Sequence, residues 1–293
     1  MADGVVLVAH GTVASLDEIP SFLARIRRGR AASDALVEET KRRYRLIGGS
    51  PLLRITEGQA AALREAMGVP VTVGMRLSTP TIQDALGALV EQGVQRVCVL
   101  PLAPFSVPVY HSATVRAAEE AGLAGRIHLC SVPPWGTEPE LIEAHAHNIE
   151  ATIAGRSSTV ILTAHSLPLA VLRAGDPYAD QVRACADAIA ARLGRPAELA
   201  YQSQGAQGEG QWLGPELRDV LGAAARAGAR VVTVAPVGFL ADHVETLYDL
   251  DVEAATWARE LGIEMLRVPA LNTTPGLIRG LAAVARRAFA SAA

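Results

Sequence analysis

Long apolar runs are missing from this chain: no stretch approaches the roughly 18–20 residues a helix needs to cross a bilayer. The Met-Ala-Asp start has neither the cationic segment nor the small-residue cleavage site of a secretory leader, so a cytoplasmic protein without a transmembrane segment is expected. Cysteine is scarce. Cys98, Cys130 and Cys185 are an odd number without CxxC spacing, which excludes a disulfide framework and falls short of the four thiolates an iron–sulfur cluster usually takes. Cys98 and Cys130 lie in apolar, strand-like runs and read as small buried hydrophobes. An excess of positive charge is lacking too. With 27 Lys and Arg against 30 Asp and Glu, the net charge of −3 excludes nucleic acid as a main partner, because phosphate binding needs a strongly basic surface. No heptad seam is present, and a monomer is expected.

What is present is a substantial core and a regular alternation. Half of the 293 residues are hydrophobic, enough for one large domain or two lobes. Val5–Ala9, Val71–Gly74, Val97–Leu100, Ile127–Val132, Val160–Ala164, Glu198–Gln202, Val231–Ala235 and Glu264–Val268 read as strands. Between them Thr81–Gln92, Glu140–Ile153, Tyr178–Leu193 and Glu216–Ala227 carry helical periodicity. Such alternation predicts α/β architecture with parallel sheets flanked by helices, binding ligands at the strands' carboxyl ends.

An internal repeat doubles the pattern. The stretch from Thr81 to Phe105 echoes that from Glu216 to Phe239, and Val6-Leu-Val-Ala-His10 echoes Ile161-Leu-Thr-Ala-His165. Two similar lobes are therefore expected, 1–155 and 156–293, dividing at the polar break around Gly155, with a cleft between them onto which His10 and His165 would open. Residues 12–53 interrupt the alternation and concentrate Arg25, Arg27, Arg28, Arg30, Lys41, Arg42, Arg43 and Arg45. Two readings stand: a solvated arginine-rich helix, or a lip that grips an anionic ligand.

Glu245, Asp249 and Glu253 follow at four-residue intervals. On a helix they form one stripe of like charge that asks for a cation, which makes metal handling the first hypothesis. The alternative is a capped, solvated first turn, with Asp242 as N-cap and Glu245 reaching back to its amide. His165, at a strand end before Ser166-Leu-Pro168, suits either a structural hydrogen bond or proton and metal chemistry near neutrality. Asp176 reads as a helix cap ahead of Pro177. The glycine-rich segment 205–210 has neither lysine nor GxGxxG and is no phosphate cradle. Trp212 suits stacking on a flat ligand or anchoring a core.

Ala164-His-Ser-Leu-Pro168, Gly175-Asp-Pro-Tyr178, Tyr201-Gln-Ser203, Trp212-Leu-Gly-Pro215 and above all Pro236-Val-Gly-Phe-Leu-Ala-Asp-His-Val-Glu-Thr-Leu-Tyr-Asp-Leu-Asp251 together resemble the signature blocks of ferrochelatases, in order and nearly along the whole chain. Ile26-Arg-Arg-Gly-Arg30, Arg43-Tyr-Arg-Leu-Ile-Gly-Gly-Ser-Pro-Leu52 and Leu102-Ala-Pro-Phe-Ser106 extend the likeness. The resemblance implies a lyase of haem biosynthesis that inserts Fe2+ into a porphyrin, with both as substrates and no tightly bound cofactor. His165 and Glu245 match the family's catalytic, metal-receiving pair, and Asp242 and His243 flank them. By the same resemblance Arg43, Asp249 and Glu253 match an outer site for hydrated Mg2+. Transient contacts with neighbouring enzymes of the pathway are a further expectation.

The basic lip, with Ser106 and Tyr110, looks more like members that use coproporphyrin III, whose four propionates suit additional cationic and hydroxyl donors. Arg27, Arg28, Ser50, Ser106, Tyr110, His10 and Trp212 are the porphyrin-side candidates. Two departures stand out. Coproporphyrin-type members usually carry tyrosine at the position of His10, and Gly48-Gly-Ser-Pro51 lacks one residue before the serine. Ala9-His-Gly11 instead resembles the start of sirohydrochlorin cobalt chelatases, which makes His10 a candidate metal ligand alongside the bland reading of a hydrogen-bonded strand-end histidine. Protoporphyrin IX as substrate, a cobalt and sirohydrochlorin pair, and a non-catalytic haem or metal binder stay open as alternatives.

Overall fold

The computed structural model describes residues 2–204 and 211–291; the glycine-rich segment 205–210 lies outside them. The chain divides into two units, one running to Trp135 and taking back the segment from Leu277, the other Gly136–Gly276. The division expected at 155/156 thus falls some twenty residues earlier in the chain. The helix Pro139–Ile153 belongs to the second unit because its inner face, with Leu141, Ile142, Ile149 and Ile153, is buried there. A polar break in sequence marks where a helix ends, and here the chain had already changed units before that helix began.

In the first unit β1 (Asp3–Ala9) is followed by a 3-10 turn and by α1 (Ile19–Ile26), α2 (Asp34–Leu46) and α3 (Leu52–Met67). The basic region 12–53 that interrupts the alternation is therefore largely helical. Then come β2 (Val71–Met75), α4 (Ile82–Glu91), β3 (Arg96–Pro101), α5 (Val107–Glu120) and β4 (His128–Cys130). The second unit contains α6 (Pro139–Ile153), β5 (Thr159–His165), α7 (Leu169–Arg173), α8 (Tyr178–Leu193), β6 (Ala197–Gln202), α9 (Leu217–Arg226), β7 (Val231–Ala235), α10 (Val244–Leu247), α11 (Ala255–Glu260) and β8 (Glu264–Arg267). A π-helical segment, Asp249–Ala254, joins α10 to α11, and α12 (Pro275–Ser291) returns to the first unit.

All strand pairings are parallel, in the orders β2-β1-β3-β4 and β6-β5-β7-β8. The two orders coincide when the repeat is used as the key: β1, whose Ala9 is followed by His10, and β5, which closes on Ala164-His165, are equivalent inner strands. Even isolated bridges correspond, Met75 to Thr81 in one unit and Tyr201 to Glu216 in the other. Both strands read as nearly unbroken apolar runs because helices cover both faces of a parallel sheet, and Val5 to Val8 and Ile161 to Ala164 are fully buried.

Helix starts are set by local chemistry. Thr81 accepts from the Asp84 N–H at 3.1 Å while Asp84 accepts from the Thr81 N–H at 2.8 Å, a reciprocal capping box that fixes α4. Asp176 accepts from the Tyr178 N–H at 2.9 Å at the head of α8, the capping role expected of it.

Leu86 on α4 and Leu221 on α9 occupy the same place in the repeat, and both are fully buried in their unit's core. Truncation of either to alanine should lose 2–5 kcal/mol, roughly the range for a core Leu→Ala. Urea unfolding should show losses of similar size for the two variants.

Candidate active site

The chemistry of the second unit gathers at the carboxyl end of β5. His165 is the last residue of β5, in register with Gln202 of β6. Its ring meets Glu245 at 3.5 Å from Nε2 to Oε1, while Nδ1 lies in hydrogen-bond contact with the Ser166 carbonyl. His243 approaches the other carboxylate oxygen, Nε2 to Oε2 at 3.5 Å, and its Nδ1 lies 3.1 Å from the Ala241 carbonyl. Glu245 therefore sits between two imidazoles. Phe239, quoted in the sequence only as part of a motif, tilts against both rings, with centroids 5.0 Å from His243 and 6.4 Å from His165.

The supporting contacts come from the motifs that run in parallel along the sequence. The Gln202 amide donates to the Glu245 carbonyl at 2.7 Å, and the Tyr178 hydroxyl donates to the His165 carbonyl at 2.8 Å. Residues 211–213 pair with 167–169 as a short ribbon: Leu169 N–H to the Gln211 carbonyl, Leu213 N–H to the Leu167 carbonyl, and a bridge between Pro168 and Trp212. Trp212 is thereby set beside the His165 turn, half-buried. Gly238 lies so close to β5 that a Cβ there would fall 2.7 Å from Ala164 Cα, so only glycine lets the loop carrying Phe239 seat against that strand.

The capping alternative is overturned. The N-cap of α10 is His243, and Thr246 rather than Glu245 reaches back, its hydroxyl accepting from the His243 N–H at 3.0 Å. Glu245 is thus turned to the imidazoles and away from its own helix end. Asp242 is also committed. It pairs with Arg267 and exchanges hydrogen bonds with Asn272 at 2.8 Å in both directions. Burial favours its neutral form, yet the Arg267 charge and these donors outweigh that and hold its carboxyl below the ordinary range. Asp242 anchors the turn that carries His243.

The acidic stripe separates by environment. Asp249 opens the π-helical segment, is buried, and accepts a hydrogen bond from the Ser203 hydroxyl. Glu253 lies one turn on, half-buried. Among the described residues no three His, Cys, Asp or Glu side chains form a ready-made metal cage.

The first unit shows its own concave surface. A cavity of about 590 Å³ is lined by Val13 to Leu16, Tyr44, Gly48 to Pro51, Arg45 and Arg54. Of these, Ser50 is a porphyrin-side candidate on sequence grounds; Arg45 and Arg54 are not, although Arg45 belongs to the basic run. Much of the rest of that run is neutralised within α2, where Lys41 pairs with Glu38 and Arg42 and Arg43 with Glu39, at 2.7–2.9 Å. Arg28 differs. It is exposed on a left-handed turn, φ 56°, a backbone setting that costs a non-glycine residue roughly 1–3 kcal/mol. Arg27 beside it is half-buried, and Ser106 is half-buried at the head of α5 without making a side-chain cap.

His10 follows β1 and is exposed. Its carbonyl accepts from the Leu77 N–H at 3.0 Å, its ring meets Phe22 edge-on at 6.4 Å, and its Nδ1 lies 3.5 Å from the Tyr110 hydroxyl. Tyr110, a proposed propionate donor on sequence grounds, is buried with its hydroxyl towards this histidine. The next residues are fixed by Thr12, whose N–H donates to Ser78 Oγ at 3.1 Å and whose hydroxyl meets that of Tyr44 at 3.0 Å.

Burial alone would lower the His165 pKa. The Glu245 charge and hydrogen bond, the Ser166 carbonyl and the Asp249 charge outweigh it and raise the imidazole to about 8. Glu245 is correspondingly held well below the ordinary carboxylate range: burial opposes this, and His165 and His243 win. A histidine raised in the folded state contributes stability that is fully present below about 6.5 and disappears as pH rises through about 8. In ligand-free protein the His165 NMR titration should have its midpoint near 8, and Glu245→Gln should move it to lower pH; an unmoved midpoint would show that the carboxylate does not control this ring.

Comparison with known proteins gives a consistent family. A ferrochelatase family model matches residues 2–289. A ferrochelatase from Deinococcus radiodurans is 38% identical over 99% of this chain and 97% of its own length. A coproporphyrin III ferrochelatase from Bacillus pumilus is 34% identical over 96% of this chain and 95% of its own. Among solved structures, SirB from Bacillus subtilis with Fe3+ matches with a TM-score of 0.67, covering 100% of this chain and 97% of that one at 14% identity, a likeness of fold.

Proposed function

Because the chain belongs to the ferrochelatase family, lyases that insert a metal ion into a porphyrin, we propose that its reaction joins Fe2+ to coproporphyrin III with His165 and Glu245 as its acting groups. The observation that carries this assignment is Glu245 placed 3.5 Å from both His165 and His243. Insertion exchanges two pyrrole N–H protons for one divalent ion, so a group must accept protons beside a site that tolerates a cation. His165 supplies the acceptor nitrogen and takes the two protons in turn, passing the first to solvent before it accepts the second. The ionised carboxylate keeps an imidazolium stable after transfer and attracts the incoming ion. Below about pH 8 the ligand-free pair rests as imidazolium and carboxylate, so base-form His165 grows in as pH rises through that value.

Coproporphyrin III is favoured by the cationic lining of the first-unit cavity, Arg45 and Arg54 with Ser50, together with exposed Arg28 and neighbouring Arg27. Four carboxylate arms would use more such donors than two. The Bacillus pumilus relative carries coproporphyrin III in its name, while the Deinococcus radiodurans relative is named simply ferrochelatase; protoporphyrin IX is therefore the second reading. His10 we assign as a further metal ligand, an exposed imidazole at the end of β1. Asp249 and Glu253 we assign as oxygen donors for a loosely held hydrated Mg2+. Arg43 is left out of that ligand set because a guanidinium has no lone pair to give. Among the described residues no helix is long and apolar enough to cross a membrane.

Anaerobic metallation with Fe2+, Co2+ and Zn2+ against coproporphyrin III, protoporphyrin IX and sirohydrochlorin tests the assignment. Fe2+ with coproporphyrin III should give the highest kcat/KM, with an acid limb near pH 8. His165→Ala and Glu245→Ala should each lower kcat by about 10²–10⁴, the usual scale for a lost proton-transfer group. Turnover indifferent to both substitutions would remove the pair from the mechanism, and a preference for protoporphyrin IX would replace the substrate.

A further inference from the structure

We propose that Tyr110 is the positioning residue for His10, its hydroxyl oxygen serving as acceptor for the Nδ1 proton when Nε2 takes the metal; this rests on the assignment of His10 as a ligand. An imidazole can give only one lone pair to an ion in its neutral form, and if Nε2 gives it, the remaining proton must be on Nδ1. Whatever faces Nδ1 therefore fixes the ring's orientation and its strength as a donor.

The group facing Nδ1 is the Tyr110 hydroxyl, at 3.5 Å. That separation is long for a hydrogen bond, as polar contacts in catalytic sites commonly are before substrate binds. A cation drawing on Nε2 makes Nδ1–H a stronger donor and tightens the contact. Tyr110 is well placed to hold still. It lies in the first turn of α5, is 7% exposed, packs in the apolar core with Val6, Val8 and Ala113, and carries the Arg76 guanidinium 5.4 Å from its ring centroid. The chain around Arg76 also holds the histidine's backbone, since the Arg76 N–H donates to the Ala9 carbonyl at 2.9 Å and the Leu77 N–H to that of His10. Phe22 closes another side of the ring, edge-on. The close approach behind this arrangement requires Gly11, where φ is +112° and a Cβ would fall 2.8 Å from Ser78 Oγ. An exposed ring so framed is restrained in direction without being covered.

On sequence grounds the motif around Tyr110 also suits propionate donation. A tyrosine serving a propionate and one serving His10 predict different couplings, so a double-mutant cycle separates them. Full-length parent, His10→Ala, Tyr110→Phe and the double variant would be titrated with iron(III) coproporphyrin III and iron(III) protoporphyrin IX, following absorption and EPR spectra and the dissociation constant. Tyr110→Phe keeps the ring and its packing under Arg76 and removes only the oxygen. The expected result is a histidine-ligated spectrum in the parent that His10→Ala clearly alters and Tyr110→Phe shifts towards a weaker axial field. Tyr110→Phe should also weaken binding on the order of tenfold, the lower end of what lost outer partners of a metal ligand cost. In the His10→Ala background, Tyr110→Phe should change nothing further. A Tyr110→Phe spectrum identical to the parent's, while His10→Ala alters it, overturns the role of Tyr110 alone. An equal loss of affinity with and without His10 also overturns it and makes Tyr110 a direct porphyrin contact. A parent spectrum unaffected by His10→Ala overturns the ligand assignment of His10 and this inference with it.

Discussion

Glu245 keeps its charge although burial opposes it, and much of the second unit's layout serves that one ion. Two imidazoles face its two oxygens, from the end of β5 and from the turn before α10. Gln202, at the end of β6, grips its backbone carbonyl. Asp242, one residue before His243, is itself stabilised by Arg267 at the end of β8. The carboxyl ends of β5, β6 and β8 therefore converge on a single turn, which is how an open parallel sheet typically makes a site. The electrostatic coupling runs both ways: the carboxylate that needs the imidazoles also raises His165 to about 8.

The first unit repeats the scaffold and changes the chemistry. An Ala-His pair closes β5 and straddles the end of β1, and both are equivalent inner strands. After β5 the chain turns within a few residues into the Ser166-Leu-Pro168 ribbon. After β1 it passes through three helices before the next strand, and those helices bring arginines and a cavity. His10 has Tyr110 and Phe22 for company where His165 has Glu245 and Phe239. One imidazole is supported by an anion and the other by a neutral hydroxyl, so the two halves of the repeat differ in the electrostatics around the equivalent histidine.

The inner strands β1, β3, β5 and β7 were legible because parallel strands buried on both faces are short apolar runs rich in β-branched residues. The His165 and Glu245 pair was legible from motif resemblance, and the structure brings the two side chains together. Three things were not legible. The unit boundary was misplaced because α6 is amphipathic whichever unit it packs on, and only its contacts tell. Asp242 and Glu245, three apart, left a capping box open as one of two readings, but Arg267 and the two histidines engage those carboxylates and Thr246 takes the cap. The arginines of α2 looked available, yet Glu38 and Glu39 on the same helix engage Lys41, Arg42 and Arg43 at i, i+3 and i, i+4.

The amino-acid sequence by itself determined the alternation, the repeat and the family, since periodicity and motif order are local properties of a chain. It also determined that Ala-His would end an inner strand in each half. Only the tertiary structure decided which polar group faces which: that Tyr110 looks at His10, that Glu245 is shared by His165 and His243, and that Asp242 serves Arg267. Apart from His243 and Glu245, which share one turn, those pairings join residues 25 to 100 positions apart, and each depends on distances of a few ångströms that no spacing along the chain encodes.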